Sequence, residues 1–166
     1  MMLFFGLFYF VSQAVIFNIL HPIGSKAFLA LQLSFSKEFY IKTFAAWQAE
    51  GLMPVYKAHL YIDILHPVLY ACFLISALAC VMNAKGISKK WNWVLVLPVI
   101  SGLCDEFENL IQFVFLSDAS GLLITEPLVL FSSVFSLVKW SLAFGSLGIA
   151  FFFLLKRPHE TRHRSA

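Results

Sequence analysis

Residues 60–82 read LYIDILHPVLYACFLISALACVM, a stretch long enough to cross a bilayer that still contains an aspartate and a histidine. Polar side chains recur at steps of three and four along and just before it: Tyr56, His59, Asp63, His66 and Tyr70. This spacing places all five within roughly one quadrant of a helix. Because an ionised carboxylate at the bilayer centre costs about 2.5–3.5 kcal/mol, such a face must meet protein, water or a ligand.

A second polar stripe lies on the next apolar run, residues 91–116. Its members share one face: Ser101, Asp105, Glu108, Asn109 and Gln112. The linker at 83–90 is too short to reach far, so the two helices should be antiparallel neighbours with facing stripes. Counting about 1.5 Å per residue from the outer helix ends brings Lys139, on the fourth run, to the depth of Asp105 and Glu108. The sequence therefore predicts an acid-rich polar cluster inside the membrane.

Composition agrees with a membrane protein. Of 166 residues, 60% are hydrophobic and only 13% are charged, whereas about a quarter are charged in average soluble domains. Four stretches reach the length of a spanning helix, at about 2–20, 60–82, 91–116 and 128–155. We expect an all-α integral membrane protein whose residues 1–155 form one antiparallel bundle of four transmembrane helices. A nucleic-acid partner is not expected.

The loop between the first two spans predicts an additional helix at about 36–50. Ser36 is a suitable N-cap and Gly51 a suitable helix end. Tyr40, Phe44 and Trp47 fall on one side, so the helix should be amphipathic and lie at the outer interface. It would serve either as a lid or as a simple plug on the bundle.

Charge placement predicts the topology. Lys85, Lys89 and Lys90 lie between the second and third spans, and residues 156–166 form a basic tail. The positive-inside rule places both segments, and with them both termini, in the cytoplasm. Within the second span, Pro67 should free the backbone carbonyl one turn earlier and favour a kink that neighbouring polar groups can satisfy.

The polar cluster supplies the candidate site residues. The catalytic candidates are Asp63, His66, Asp105, Glu108 and Lys139. The candidates for ligand binding are Tyr56, His59, Tyr70, Asn109 and Gln112. In an enzyme, Asp105 or Glu108 would act as acid or base with His66. Asp63 would orient His66, while Lys139 and Asn109 would stabilise developing charge.

Two alternatives for this cluster stay open at the level of sequence. Lys139 could form a structural ion pair with Asp105 or Glu108. The second alternative is a single bound divalent metal, and apart from it no cofactor is expected. Asp63-x-x-His66 and Asp105-x-x-Glu108 each place two ligand types one turn apart, as in helical-bundle metal sites. His59 is expected too near the interface to join such a site.

The sequence thus leaves three classes of function open. The first is binding or chemical modification, by an isomerase or hydrolase, of a lipid-like hydrophobic molecule. The second is a proton or ion relay or transporter subunit, and the third is a non-enzymatic accessory protein. The plan of four helices with acidic groups facing a cavity is similar to that of the emopamil-binding (EXPERA) group of sterol isomerases and lipid-binding proteins. That resemblance is architectural and assigns no residue a role.

Overall fold

The computed structural model describes residues 1–117 and 121–156 and is helical, with no strand in those two ranges. Seven α-helices follow one another in them. They are α1 Met2–Leu20, α2 Ser25–Gln32, α3 Lys37–Ala49, α4 Met53–Asp63, α5 His66–Ala84, α6 Leu97–Ser117 and α7 Glu126–Leu155. A 3-10 helix, Lys89–Val96, leads into α6.

Three of these helices, α1, α5 and α7, are long and apolar enough to cross a membrane. This indicates a membrane protein. Helix α6 has 21 residues, about 31 Å at 1.5 Å per residue, which also matches the roughly 30 Å hydrocarbon core. It differs from the other three because Asp105, Glu106 and Glu108 reduce its apolar character.

The second expected span, at about 60–82, is two helices rather than one. Helix α4 ends at Asp63 and α5 begins at His66. Pro67 is the reason, since it has no N–H to donate to the carbonyl four residues earlier, that of Asp63. The Asn109 side-chain amide donates to that carbonyl instead, at 3.3 Å. The predicted break is confirmed, together with a polar group that compensates for it.

The third expected span also begins differently. Residues 89–96 form a 3-10 helix, and regular α-helix starts only at Leu97. Pro98 explains the boundary, because its ring is accommodated in the first turn of an α-helix and not further in.

One end of the bundle, where α1 ends and α5 begins, is covered by the segment between these two helices. As predicted, the Ser36 hydroxyl caps α3 by accepting a hydrogen bond from the Phe39 N–H at 3.3 Å. Gly51 ends the helix with a positive φ of 71°, a conformation that glycine adopts without steric cost. The preceding short helix, α2, was not predicted.

The aromatic side of α3 lies against the bundle. Tyr40, Phe44 and Trp47 are buried. The Tyr40 ring meets Phe115 of α6 at 5.6 Å between centroids, and Trp47 meets Tyr56 of α4 at 5.0 Å. The helix therefore rests with its aromatic side on the end of the bundle.

The long helices pack in an incomplete ring. Helices α5, α6 and α7 contact one another. Helix α1 packs mainly on α5 and α4. Gly102 permits the close approach of α6 to α5, because a Cβ there would lie 3.2 Å from the Pro67 carbonyl oxygen. Within the described ranges α1 and α7 make no substantial contact. We call the gap between them the α1–α7 seam.

Candidate functional site

The centre of the predicted cluster is a buried three-residue ion group. The Lys139 ammonium donates to Asp105 Oδ1 at 2.7 Å and lies 2.8 Å from Glu108 Oε2. The side chains of Lys139, Asp105 and Glu108 are only 7%, 6% and 1% exposed. The Glu108 contact is electrostatic rather than a well-aligned hydrogen bond, since neither of its oxygens has a hydrogen-bond partner among the described residues. Lys139 thus pairs with both carboxylates that the sequence offered as alternatives.

A hydroxyl chain ties three helices together beside this group. Ser101 Oγ donates to the Lys139 backbone carbonyl at 2.8 Å and lies 3.2 Å from the Tyr70 hydroxyl. A serine hydroxyl has one hydrogen, so the hydrogen in the second bond must come from Tyr70. The chain fixes the Tyr70 ring, on α5, against α6 and α7.

Asp63 has a different partner from the one expected. Its Oδ2 lies 3.5 Å from His59 Nε2, one turn earlier on α4, and no contact with the His66 ring is found in the described part of the chain. His59 is only 2% exposed, so protein encloses it, and its expected position near the membrane interface stays a prediction. The unpredicted α2 accounts for its burial, because Phe28 meets the His59 ring edge-on at 4.9 Å.

His66 is held by helix α1. Its Nδ1 lies 2.9 Å from Ser12 Oγ, and that hydroxyl donates to the Tyr9 carbonyl at 2.8 Å. With the hydroxyl hydrogen already used, His66 Nδ1 must be the donor to Ser12. His66 Nε2 then remains without a described hydrogen-bond partner. The expected partnership of His66 with Asp63 is replaced by one with Ser12.

Three of the predicted ligand-binding residues are engaged within the protein. The Tyr56 hydroxyl donates to Gln112 Oε1 at 3.0 Å, and Gln112 Nε2 donates to the Tyr40 hydroxyl at 3.2 Å and to Ser132 Oγ at 2.8 Å. Burial raises the pKa of the Tyr40 phenol, which keeps it in the neutral, hydrogen-bonding form. Asn109 is bound to the Asp63 carbonyl, as described above. These contacts dock α3 and α4 onto α6 and α7.

A cavity of about 420 Å³ occupies the α1–α7 seam. Its volume is in the range of small-molecule sites. The polar part of its lining consists chiefly of His59, Asp63, His66, Tyr70, Asp105 and Lys139, with Gln13 and Gln32. Six of the ten predicted site residues line the cavity, and a seventh, Glu108, lies behind its wall, paired with Lys139.

The rest of the cavity is apolar and open to the side. Phe10 of α1 and Phe144 of α7 both line it, yet they are 61% and 62% exposed on the outer surface of the bundle. A second hollow, of about 630 Å³, lies near the outer end between α3, α4 and α6. None of the predicted site residues lines it.

The metal alternative finds no support in the geometry. In residues 1–117 and 121–156 there is no group of three or more His, Cys, Asp or Glu side chains placed to hold a metal ion. Lys139 sits between Asp105 and Glu108, in the position that a bound cation would need.

Several residues of this site were missed by the sequence reasoning. Ser12, Gln32 and Trp140 lie outside the two polar stripes, so residue spacing did not single them out. Comparison with protein-family models, with curated proteins and with solved structures finds no match to this chain. Its function must therefore be argued from the site alone.

Proposed function

We propose that this chain is a multi-pass membrane protein that binds a lipid-like hydrophobic molecule in the α1–α7 seam. The observation that carries the proposal is the cavity itself, which joins an apolar body to a buried polar end. An amphiphile likewise joins an apolar chain to a polar group. Its polar group would lie near His59, His66 and Lys139, and its chain would run towards Phe10 and Phe144.

We further propose that α6 is a fourth membrane-spanning helix beside α1, α5 and α7. The cost of charges in lipid falls when they face the protein interior and are paired. Asp105 and Glu108 are buried and share the Lys139 ammonium. In this arrangement α1, α5, α6 and α7 cross in alternating directions, which is the antiparallel four-helix bundle expected from the sequence.

The orientation in the membrane follows from the same arrangement. Four crossings put both termini on the same side, and Lys85, Lys89 and Lys90 between α5 and α6 favour the cytoplasm for that side. Helices α2, α3 and α4 then cover the outer face. The basic tail expected at 156–166 lies outside the described residues apart from Lys156.

Ligand entry would occur from the bilayer rather than from water. The outer end is closed by α3, whose Tyr40, Phe44 and Trp47 are buried against the bundle. The exposed faces of Phe10 and Phe144 instead border the seam where lipid chains would lie. A molecule already dissolved in the membrane could therefore reach the polar end without crossing the headgroup region.

Photolabelling tests this function directly. The full chain, reconstituted in phosphatidylcholine vesicles, is irradiated with a single-chain fatty alcohol that carries a diazirine near its hydroxyl. We expect labels to concentrate on the walls of the seam, at residues such as His66 and Ala143, and excess unlabelled alcohol to remove them. Phe151, which is 62% exposed and does not line the cavity, is the internal control for lipid contact. Equal, non-competed labelling of both regions would refute the proposal.

A chemical step on the bound molecule is a second candidate function. His66 is positioned by Ser12 with Nε2 free, and His59 by Asp63 with Nδ1 free, on the wall of one cavity. An imidazole fixed through one nitrogen and open at the other is the arrangement used for general acid–base catalysis. An isomerase-type proton transfer or a hydrolysis would both be compatible with it.

The acid–base candidate predicts a change in lipid chemistry. Purified protein is incubated in D₂O with lipid extracted from the expressing membranes, and the lipids are analysed by mass spectrometry. We expect deuterium on carbon, or a cleaved product, in a species that the His66→Gln variant leaves unchanged. A lipid profile identical for the wild type, the variant and a protein-free sample would rule out both isomerisation and hydrolysis in this extract.

A further inference from the structure

We infer that the cavity selects an amphiphile whose uncharged polar group both donates and accepts hydrogen bonds, such as a primary amide or a hydroxyl. This inference rests on the proposed function and specifies its ligand. It is carried by three buried polar atoms, on residues that line the cavity, that have no hydrogen-bond partner in the described part of the chain: Gln32 Oε1, His59 Nδ1 and Trp140 Nε1.

The unpartnered atoms differ in what they require. The indole N–H of Trp140 can only donate, so the ligand must supply an acceptor. Gln32 Oε1 can only accept, so the ligand must supply an N–H or O–H. Gln32 and His59 are 4% and 2% exposed, which leaves bulk water little access to them. Buried polar groups are almost always paired in folded proteins, and a ligand with both capacities would satisfy them together.

Charge at the polar end argues against an ionised ligand. Lys139 is already paired with two carboxylates, and the other nearby acid, Asp63, has His59 as its partner. A carboxylate or phosphate would therefore enter beside acidic groups with no free ammonium to meet it. It would also offer no hydrogen to Gln32.

A cationic ligand would also leave one of the buried polar groups unpaired. An ammonium group donates hydrogen bonds but accepts none, so the Trp140 N–H would stay unpaired. The Lys139 ammonium, 5.7 Å from the centre of the Trp140 ring, already takes the place of a cation beside the indole. A neutral donor–acceptor group avoids both conflicts.

The test uses four ligands with the same C18 chain: oleamide, oleyl alcohol, oleate and oleylamine. Each competes with the diazirine alcohol on the full chain in phosphatidylcholine vesicles, at a mildly alkaline pH that keeps the bilayer-bound carboxyl group of oleate ionised. We expect oleamide and oleyl alcohol to compete at about tenfold lower concentration than the two ions, the effect of one unmet buried hydrogen bond. Tightest binding of oleate or of oleylamine would overturn the inference.

Two variants test the recognition residues separately. Trp140→Phe keeps an aromatic ring but removes the N–H, and Gln32→Leu removes the acceptor. Each substitution should weaken the binding of oleamide by about five- to tenfold. Trp140→Phe should leave the binding of oleylamine almost unchanged, and Gln32→Leu should leave that of oleate almost unchanged. Trp93→Phe, at an indole 56% exposed outside the cavity, is the matched control. Thermal unfolding of each variant establishes that it is folded, and folded variants with unaltered oleamide affinity would contradict the inference.

The two proposals fail in different ways. If all four ligands compete equally well, the seam binds hydrophobic molecules without the selectivity inferred from Gln32 and Trp140. If none competes and the photolabel shows no preference for the seam, the proposed binding function itself is wrong.

Discussion

Replacement of Lys139 by methionine is expected to destabilise the protein by about 3–5 kcal/mol, the usual cost of breaking a buried ion pair. Asp105 and Glu108 would then remain in a buried site without their common cation. Methionine has a similar length and no charge, so the loss would be electrostatic rather than a loss of volume. The measurement is the thermal unfolding midpoint of the full chain in detergent, with recovery from size-exclusion chromatography.

A variant that lacks the whole ion group tests whether unpaired buried charge causes the loss of stability. In the triple variant Lys139→Met, Asp105→Asn, Glu108→Gln, no charge is left unpaired, and we expect most of the stability to return. Lys57→Met, at an exposed lysine, should change the midpoint very little. A Lys139→Met variant as stable as Lys57→Met would show that the ion group does not hold α6 and α7 together.

Ala143→Phe is expected to abolish ligand binding while the protein remains folded. Ala143 lies on the wall of the seam, where α7 faces α1. A phenylalanine there would fill part of a cavity of about 420 Å³. Added volume costs stability in a packed core, but at this position it enters open space. The measurement is competed photolabelling by the diazirine alcohol in vesicles, which should fall to the level of non-specific lipid contact.

The control for this variant is on the same helix. Ser141 is exposed and does not line the cavity, so Ser141→Phe adds the same side chain to the outer surface. It should bind the photolabel as the wild type does. If Ala143→Phe were folded and labelled normally, the ligand would have to lie elsewhere, and the polar stripes would be better explained as helix-packing contacts of an accessory protein.

The sequence predicted the location of the ion group because two simple quantities determine it. Residue spacing assigns Asp105 and Glu108 to one helix face, and the rise per residue assigns Lys139 to their depth. The short linker after α5 makes α5 and α6 neighbours. These relations do not depend on details of packing, and the observed pairing of Lys139 with both acids follows from them.

The partners of the histidines could not be predicted in the same way. The burial of His59 was not predicted, because it depends on α2, whose Phe28 covers the ring and which residue spacing did not indicate. His66 was expected to contact Asp63, but Pro67 interrupts the helix between the two residues, and α1 supplies Ser12 instead. Both differences arise from tertiary contacts between segments that have no shared periodicity.

The cavity itself lay beyond what the sequence could show. It exists because α1 packs on α4 and α5 and, among the described residues, makes no substantial contact with α7, a matter of helix placement rather than of pattern. Gln32 and Trp140 acquire significance only through that placement. Conversely, Gln112 and Asn109 belong to the predicted stripe, yet their hydrogen bonds are made within the protein.

The proposed function requires a hydrophobic molecule in the gap between α1 and α7. A cryo-electron microscopy map of the full chain in a phosphatidylcholine nanodisc, with a bound antibody fragment to aid alignment, would show it. We expect elongated non-protein density in the α1–α7 seam, with one end near His59 and Trp140 and the other between Phe10 and Phe144. A map in which α1 packs directly against α7, with no space between them, would contradict it.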